Sequence, residues 1–103
     1  PTPPTWTTMY NYDPAQGLTT EQQAYIVGGE AALWAEFINE YNIESQIYPR
    51  ACAVAERLWS NAEMTSDSSL ATDRLIAQKC RMMNRGVKSS PVQPADYCST
   101  VYV

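Results

Sequence analysis

The sequence predicts an α/β chain with one buried strand followed by helices, an arrangement that needs further strands to close. Three observations carry this expectation. Residues 25–34, Tyr-Ile-Val-Gly-Gly-Glu-Ala-Ala-Leu-Trp, place apolar residues nearly back to back around Gly28-Gly29. Such a run fits a strand covered on both faces, as in a parallel sheet. Residues 50–59 are strong helix formers without a breaker, and residues 66–85 repeat apolar positions at the helical period. A parallel strand leaves both edges to be paired, and no second strand is legible, so the chain reads as part of a larger α/β body.

Element by element, residues 1–20 are rich in Pro, Thr, Tyr and Asn and read as an extended, irregular loop. Trp6, Met9, Tyr10 and Tyr12 are its expected points of attachment to a larger body. Thr19 or Thr20 caps a short helical turn through Glu21, Gln22 and Gln23. For residues 25–34 a short buried helix competes with the strand; the Gly pair, at about 1 kcal/mol per Gly in a helix, favours the strand. Residues 35–48 read as a loop with one helical turn. Pro49 suits the first turn of a helix, and Ser60-Asn61 ends the stretch 50–59. The helix over 66–85 has Ser66, Ser68 or Ser69 as its cap and Leu70, Leu75, Ile76, Cys80 and Met83 along one face. Gly86 stops it. The tail from Val87 carries two prolines and no period.

Composition bounds the function classes. The 103 residues are 45% hydrophobic and 17% charged, which is globular. A formal net charge of -4 without a Lys/Arg cluster argues against a nucleic-acid surface. No apolar run approaches the roughly 18–20 residues of a membrane span. The opening Pro1-Thr2-Pro3-Pro4-Thr5 has neither the basic nor the apolar region of a signal peptide. With no initiator Met, the chain is expected to be a processed product or a piece of something longer. Cys52, Cys80 and Cys98 form no CxxC, and there is no His, which disfavours a zinc site and removes any histidine base. Cys52 sits among alanines and reads as a small apolar residue. The spacing leaves pairing of Cys80 with Cys98 open. Closing a loop of that size contributes about 3 kcal/mol and implies an oxidising compartment.

The residues that bear chemistry cluster in Gly28-Gly29-Glu30-Ala31-Ala32-Leu33-Trp34-Ala35-Glu36. In an α/β barrel, residues just past the C-terminal end of a strand line the active site. There an indole face stacks on the apolar face of a pyranose, and a carboxylate accepts hydrogen bonds from sugar hydroxyls. By spacing alone the signal is weak, and a core Trp beside a solvated Glu is the favoured reading.

This stretch resembles the G-G-E-A-x-x-W-x-E motif of family 20 β-N-acetylhexosaminidases. Residues 48–60, Tyr-Pro-Arg-Ala-Cys-Ala-Val-Ala-Glu-Arg-Leu-Trp-Ser, resemble that family's W-P-R-x-x-A-x-A-E-R-L-W-S block, in the same order and spacing. Tyr48 stands where Trp is common and Ala35 where Gly is common. Cys80, Arg85-Gly86-Val87, Pro91 and Tyr97-Cys98 resemble the disulfide-closed C-terminal end of eukaryotic members. The resemblance covers about residues 6–98.

The resemblance implies the C-terminal part of a (β/α)8 barrel. Residues 1–24 would be the loop region after the seventh strand. Residues 25–36 would hold the eighth strand, at 26–34, with the sugar-pocket residues, and 37–103 would be closing helices and a disulfide-linked tail. It implies hydrolysis of terminal, non-reducing, β-linked N-acetylhexosamines by a substrate-assisted retaining mechanism, with no cofactor and no metal. The catalytic Asp-Glu pair would lie upstream, so the chain alone would be inactive. Trp34 would be a pocket wall and Glu36 a hydrogen-bond acceptor for the sugar. Glu30 would support the site by pairing with a basic group. Arg50, Glu56 and Arg57 would form structural ion pairs, and Cys80–Cys98 the disulfide. Trp6 and Tyr10 would serve packing rather than an aglycone subsite, and Trp59 with the aromatics of residues 37–48 would be core or interface. Implied partners are N-acetylhexosaminide glycans or chitooligosaccharides, the rest of the barrel and a second copy in a homodimer, with no nucleic acid and no membrane span. The compartment would be secreted, lysosomal or vacuolar. Two other classes compete. A carbohydrate-binding module would need its own closed sheet, and an interaction protein would bind no saccharide.

Overall fold

The computed structural model describes residues 4–98. Among them the chain is helical and carries no strand, with five α-helices joined by turns. The first, α1 (Trp6–Asn11), lies inside the stretch expected to be an irregular loop. Thr5 caps it by accepting from the Thr8 amide at 3.3 Å. Its aromatics at i and i+4, Trp6 and Tyr10, share one face and are buried. They meet edge to face with centroids 6.1 Å apart. The Trp6 indole N–H donates to the Val92 carbonyl at 3.0 Å.

Helix α2 (Thr20–Gln23) starts with the expected cap. Thr19 Oγ1 accepts from the Gln22 amide, and the Gln22 side chain accepts from the Thr19 amide, a reciprocal capping box. The expected strand at 25–34 does not form. A strand is held by hydrogen bonds to a neighbour, and no neighbouring segment offers a ladder, so this stretch is irregular and mostly exposed. A 3-10 turn, Ala35–Phe37, and α3 (Ile43–Ile47) follow. Asn42 braces them, donating to the Phe37 carbonyl at 2.8 Å and accepting from the Asn39 amide at 2.8 Å.

Helix α4 (Arg50–Trp59) has the expected bounds, with Pro49 before it and Ser60 after it. The Tyr48–Pro49 peptide bond is cis. The last helix, α5 (Thr72–Asn84), starts later than expected. A separate 3-10 turn, Ser68–Leu70, precedes it, capped by Asp67 rather than by a serine. Leu70 therefore swings off the core face and is exposed, as is Met83, while Ala71, Leu75 and Cys80 are buried. Gly86 ends α5 at φ +90°, which glycine adopts without strain. The Val87 amide reaches the Met82 carbonyl and the Gly86 amide the Met83 carbonyl, the paired bonds of a Schellman stop.

The core joins α1, α4, α5 and the tail: Trp6, Tyr10, Ala53, Ala71, Leu75 and Val92, with Cys52 and Ile76 packed against it. Cys52 is half-buried, and burial pushes its thiol up. The tail returns across α3, where Ser90 donates from its amide to the Tyr48 carbonyl and from its hydroxyl to the Ser45 carbonyl. The Cys80–Cys98 disulfide is present. Beside it Lys79, buried on α5, donates to Asp96 Oδ1 at 2.9 Å and to the Asp96 carbonyl at 2.6 Å. The other Asp96 oxygen accepts from the Val92 amide at 2.6 Å and the Gln93 amide at 3.3 Å. Ala95, at φ 60°, occupies the left-handed region at a cost of roughly 1–2 kcal/mol.

This core is small for the chain. Trp34, Phe37, Tyr41 and Trp59 stand exposed, so the last three are not core residues. The accessible surface is 7823 Å², against about 5,800 Å² for a folded monomer of this mass.

Two ion pairs among the described residues, Lys79–Asp96 and Arg74–Glu56, set an acid limit. Burial pushes Asp96 up, but the bonds from Lys79 and from the Val92 and Gln93 amides outweigh it and hold its carboxyl below the usual value. The Arg74 hydrogen bond holds Glu56 low against opposing burial, with Tyr10 adding to it. A carboxyl lowered by folding stabilises above its unfolded value, about 3.9 for Asp and 4.3 for Glu, and that contribution is lost as pH falls through the lower folded value. The urea midpoint is therefore expected to stay level from pH 8 to 6 and to fall below about pH 4. A midpoint unchanged down to pH 2 would contradict these assignments.

Candidate functional site

The segment Gly28–Glu36 lies across α4. A methyl group at Gly29 would sit 3.2 Å from Leu58 Cδ2, so the backbone approaches the helix there as only glycine allows without displacing Leu58. Two clefts adjoin this segment. One, of about 600 Å³, is lined by Leu33, Trp34, Phe37, Arg50 and Val54 among others. The second, of about 320 Å³, brings together Met9, Tyr12, Glu30, Arg57 and Leu58.

Trp34 precedes the Ala35–Phe37 turn with extended backbone and is 77% exposed. Its indole face is available for stacking. Glu36 lies in the same turn and is exposed. No hydrogen bond among the described residues engages its carboxylate, which keeps its acceptor capacity. The structure thus places Trp34 and Glu36 on one short exposed turn. Glu30 is also exposed, and no basic partner engages it among the described residues.

Of Arg50, Glu56 and Arg57, expected to form structural ion pairs, Glu56 forms one, with a residue outside that set, while Arg50 and Arg57 bond to neutral acceptors. Side chains one residue apart on a helix do not face each other, and six residues of rotation at 3.6 per turn separate Arg50 from Glu56. Glu56 turns instead to α5 and α1. Arg74 Nη2 donates to its Oε1 at 2.5 Å and the Tyr10 hydroxyl to the same oxygen at 2.7 Å. Arg50 donates to the Gln46 carbonyl and to the Pro4 carbonyl at 3.2 Å. Arg57 Nη1 donates to Thr65 Oγ1 at 3.2 Å. Sequence reasoning missed Tyr10, Arg74, Lys79 and Asp96 as polar anchors. The i, i+4 spacing of Trp6 and Tyr10 was a usable signal for α1; the charged partners of Glu56 and Lys79 are 18 and 17 residues away in sequence, with no local spacing to mark them.

Among the described residues no cluster of His, Cys, Asp and Glu fits a metal ion. Among the same residues no helix is long and apolar enough to cross a membrane.

Comparison with known proteins covers this segment. Residues 2–62 match the model of glycosyl hydrolase family 20, catalytic domain, a span that includes both sequence blocks and the Trp34–Glu36 turn. The chain is 40% identical over 96 residues to the beta-hexosaminidase subunit alpha of Mus musculus, covering 92% of this chain and 18% of that protein. It is 43% identical over 94 residues to the beta-hexosaminidase subunit A1 of Dictyostelium discoideum, covering 91% of this chain and 17% of the relative. To the beta-hexosaminidase subunit beta of Homo sapiens it is 40% identical over 95 residues, again 91% and 17%. The chain therefore spans less than a fifth of the length of these relatives. It belongs to glycosyl hydrolase family 20 and matches the catalytic domain of that family.

Proposed function

We propose that this chain is the C-terminal part of the (β/α)8 catalytic barrel of a β-N-acetylhexosaminidase, supplying sugar-binding residues while the catalytic Asp-Glu pair lies in an earlier part of the barrel. The observation that carries the reading is the exposed Trp34–Glu36 turn inside the family match. The surface in excess of a compact domain supports the remainder of a barrel as partner. In that barrel residues 26–34 are the eighth strand, its ladder partners being strands of the rest of the barrel.

The reaction is removal of terminal, non-reducing N-acetylhexosamines by a substrate-assisted, retaining route. The acetamido oxygen of the substrate attacks the anomeric carbon, and the glycosidic bond breaks with protonation of the leaving oxygen by the upstream Glu. Water, deprotonated by the same residue, then opens the oxazolinium ring. Trp34 forms a wall that stacks on the sugar and fixes the ring's orientation. Glu36 accepts hydrogen bonds from the sugar hydroxyls towards the 4- and 6-positions, and a charged acceptor makes these stronger than neutral ones. The disulfide supports an oxidising compartment, secreted, lysosomal or vacuolar.

Release of a chromogenic aglycone from an N-acetyl-β-glucosaminide tests the reading. Activity is expected in a longer protein that contains this chain and not in the chain alone. In that longer protein Glu36→Gln is expected to lower kcat/KM by about 2 kcal/mol, roughly thirtyfold. Activity of the isolated chain, or near-normal kinetics in the variant, would sink the assignment of roles.

A further inference from the structure

Glu30 and Arg57 are absorbed by neither the proposed chemistry nor the core, and they share a cleft. Both line the smaller of the two clefts beside α4. They also neighbour, on each side, the point where the segment meets the helix, since Gly29 precedes Glu30 and Leu58 follows Arg57. Arg57 is held at one end: Nη1 donates to Thr65 Oγ1, and Thr65, buried, donates in turn to the Asn61 carbonyl. Its Nε is buried with no acceptor. A guanidinium presents Nε and an Nη as a fixed fork that matches a carboxylate, and an orphaned buried donor is rare in a finished structure. Glu30 is the acidic residue lining that cleft, and among the described residues it is engaged by no cation.

We infer that Arg57 and Glu30 pair across this cleft when the catalytic domain is assembled, and that the pair acts as a positioning clamp for the Trp34–Glu36 turn. The inference rests on the functional reading above. Glu30 and Glu36 belong to one short segment, so a carboxylate tied to α4 restricts where Trp34 and Glu36 present themselves to the sugar. Helix α4 is a firm anchor, since Ala53 lies in the core and Glu56 is tied to α1 and α5. Neither residue touches the reacting atoms.

The test is a double-mutant cycle in the longer protein that contains this chain, with a chromogenic N-acetyl-β-glucosaminide and with thermal unfolding as separate readouts. Glu30→Gln and Arg57→Met are each expected to raise KM, by about tenfold to a hundredfold for a misplaced site, with kcat nearly kept. The double variant is expected to be no worse than either single one, and Arg57→Lys to recover part of the loss. A merely structural role would lower the active fraction, reducing apparent kcat at constant KM. That result, or additive effects in the double variant, overturns the inference. Where Arg57→Met does not fold, the charge swap Glu30→Arg with Arg57→Glu decides, recovery of folding and KM supporting the pair and failure overturning it. If the unsubstituted protein does not hydrolyse the glycoside, the functional reading fails, while coupling in the unfolding cycle still decides whether the pair exists.

Discussion

Replacing Lys79 with Met is expected to destabilise the chain by about 3–5 kcal/mol, because the change leaves the Asp96 carboxylate buried without its cation. The side chains of the pair are only 4% and 5% exposed. Asp96 would keep the amide bonds from Val92 and Gln93, which satisfy one oxygen but bring no full charge. Against a total folding stability of 5–15 kcal/mol typical of domains, the loss is a large share of what holds the tail under α1. The converse change, Asp96→Asn, strands an ammonium group instead and is expected to cost a similar amount. Replacing both partners together, Lys79→Met with Asp96→Leu, is expected to cost less than either single change, because no uncompensated charge remains. Urea unfolding of the four proteins measures this. A Lys79→Met loss below about 1 kcal/mol would show that water or the backbone already carries the Asp96 charge.

Local sequence rules reached as far as local physics does. Helix α4 was legible because its ten residues include no breaker and Pro49 opens it. The Thr19 cap and the Gly86 stop were legible because each is satisfied within a few residues. Helix α1 was missed because Thr and aromatic residues disfavour helices locally, and what fixes it is burial of Trp6 and Tyr10 against Ala53, Leu75 and Val92, far off in sequence. The strand at 25–34 was read from an apolar run that suits a sheet, but a strand exists only with a ladder partner. In the site, Trp34 and Glu36 emerged together because two positions in one turn share a neighbourhood. The partners of Glu56 and Lys79 did not, since ion pairing between helices and a returning tail depends on tertiary geometry.

Cys98→Ala is expected to cost about 3 kcal/mol, the chain entropy regained by the unfolded state when a loop with a sequence separation of 18 opens. Cys98 lies at the exposed end of the bridge, so the substitution leaves the packing around buried Cys80 in place. The bridge and the Lys79–Asp96 pair tie the same two segments, one residue apart on α5 and two apart on the tail. Their effects are therefore coupled. With the bridge opened, the tail can leave α5 locally, which lets Asp96 reach water without global unfolding. Lys79→Met should then cost less in the Cys98→Ala background than in the bridged chain, and the two losses should add to more than the double variant shows. Hydrogen exchange at the Val92 and Gln93 amides reports the same event directly. Both amides are bonded to Asp96, and in Cys98→Ala they are expected to exchange by local opening while the α4 amides stay protected. Equal protection of the two groups would mean that the tail and α4 unfold as one unit, and the losses would then be additive.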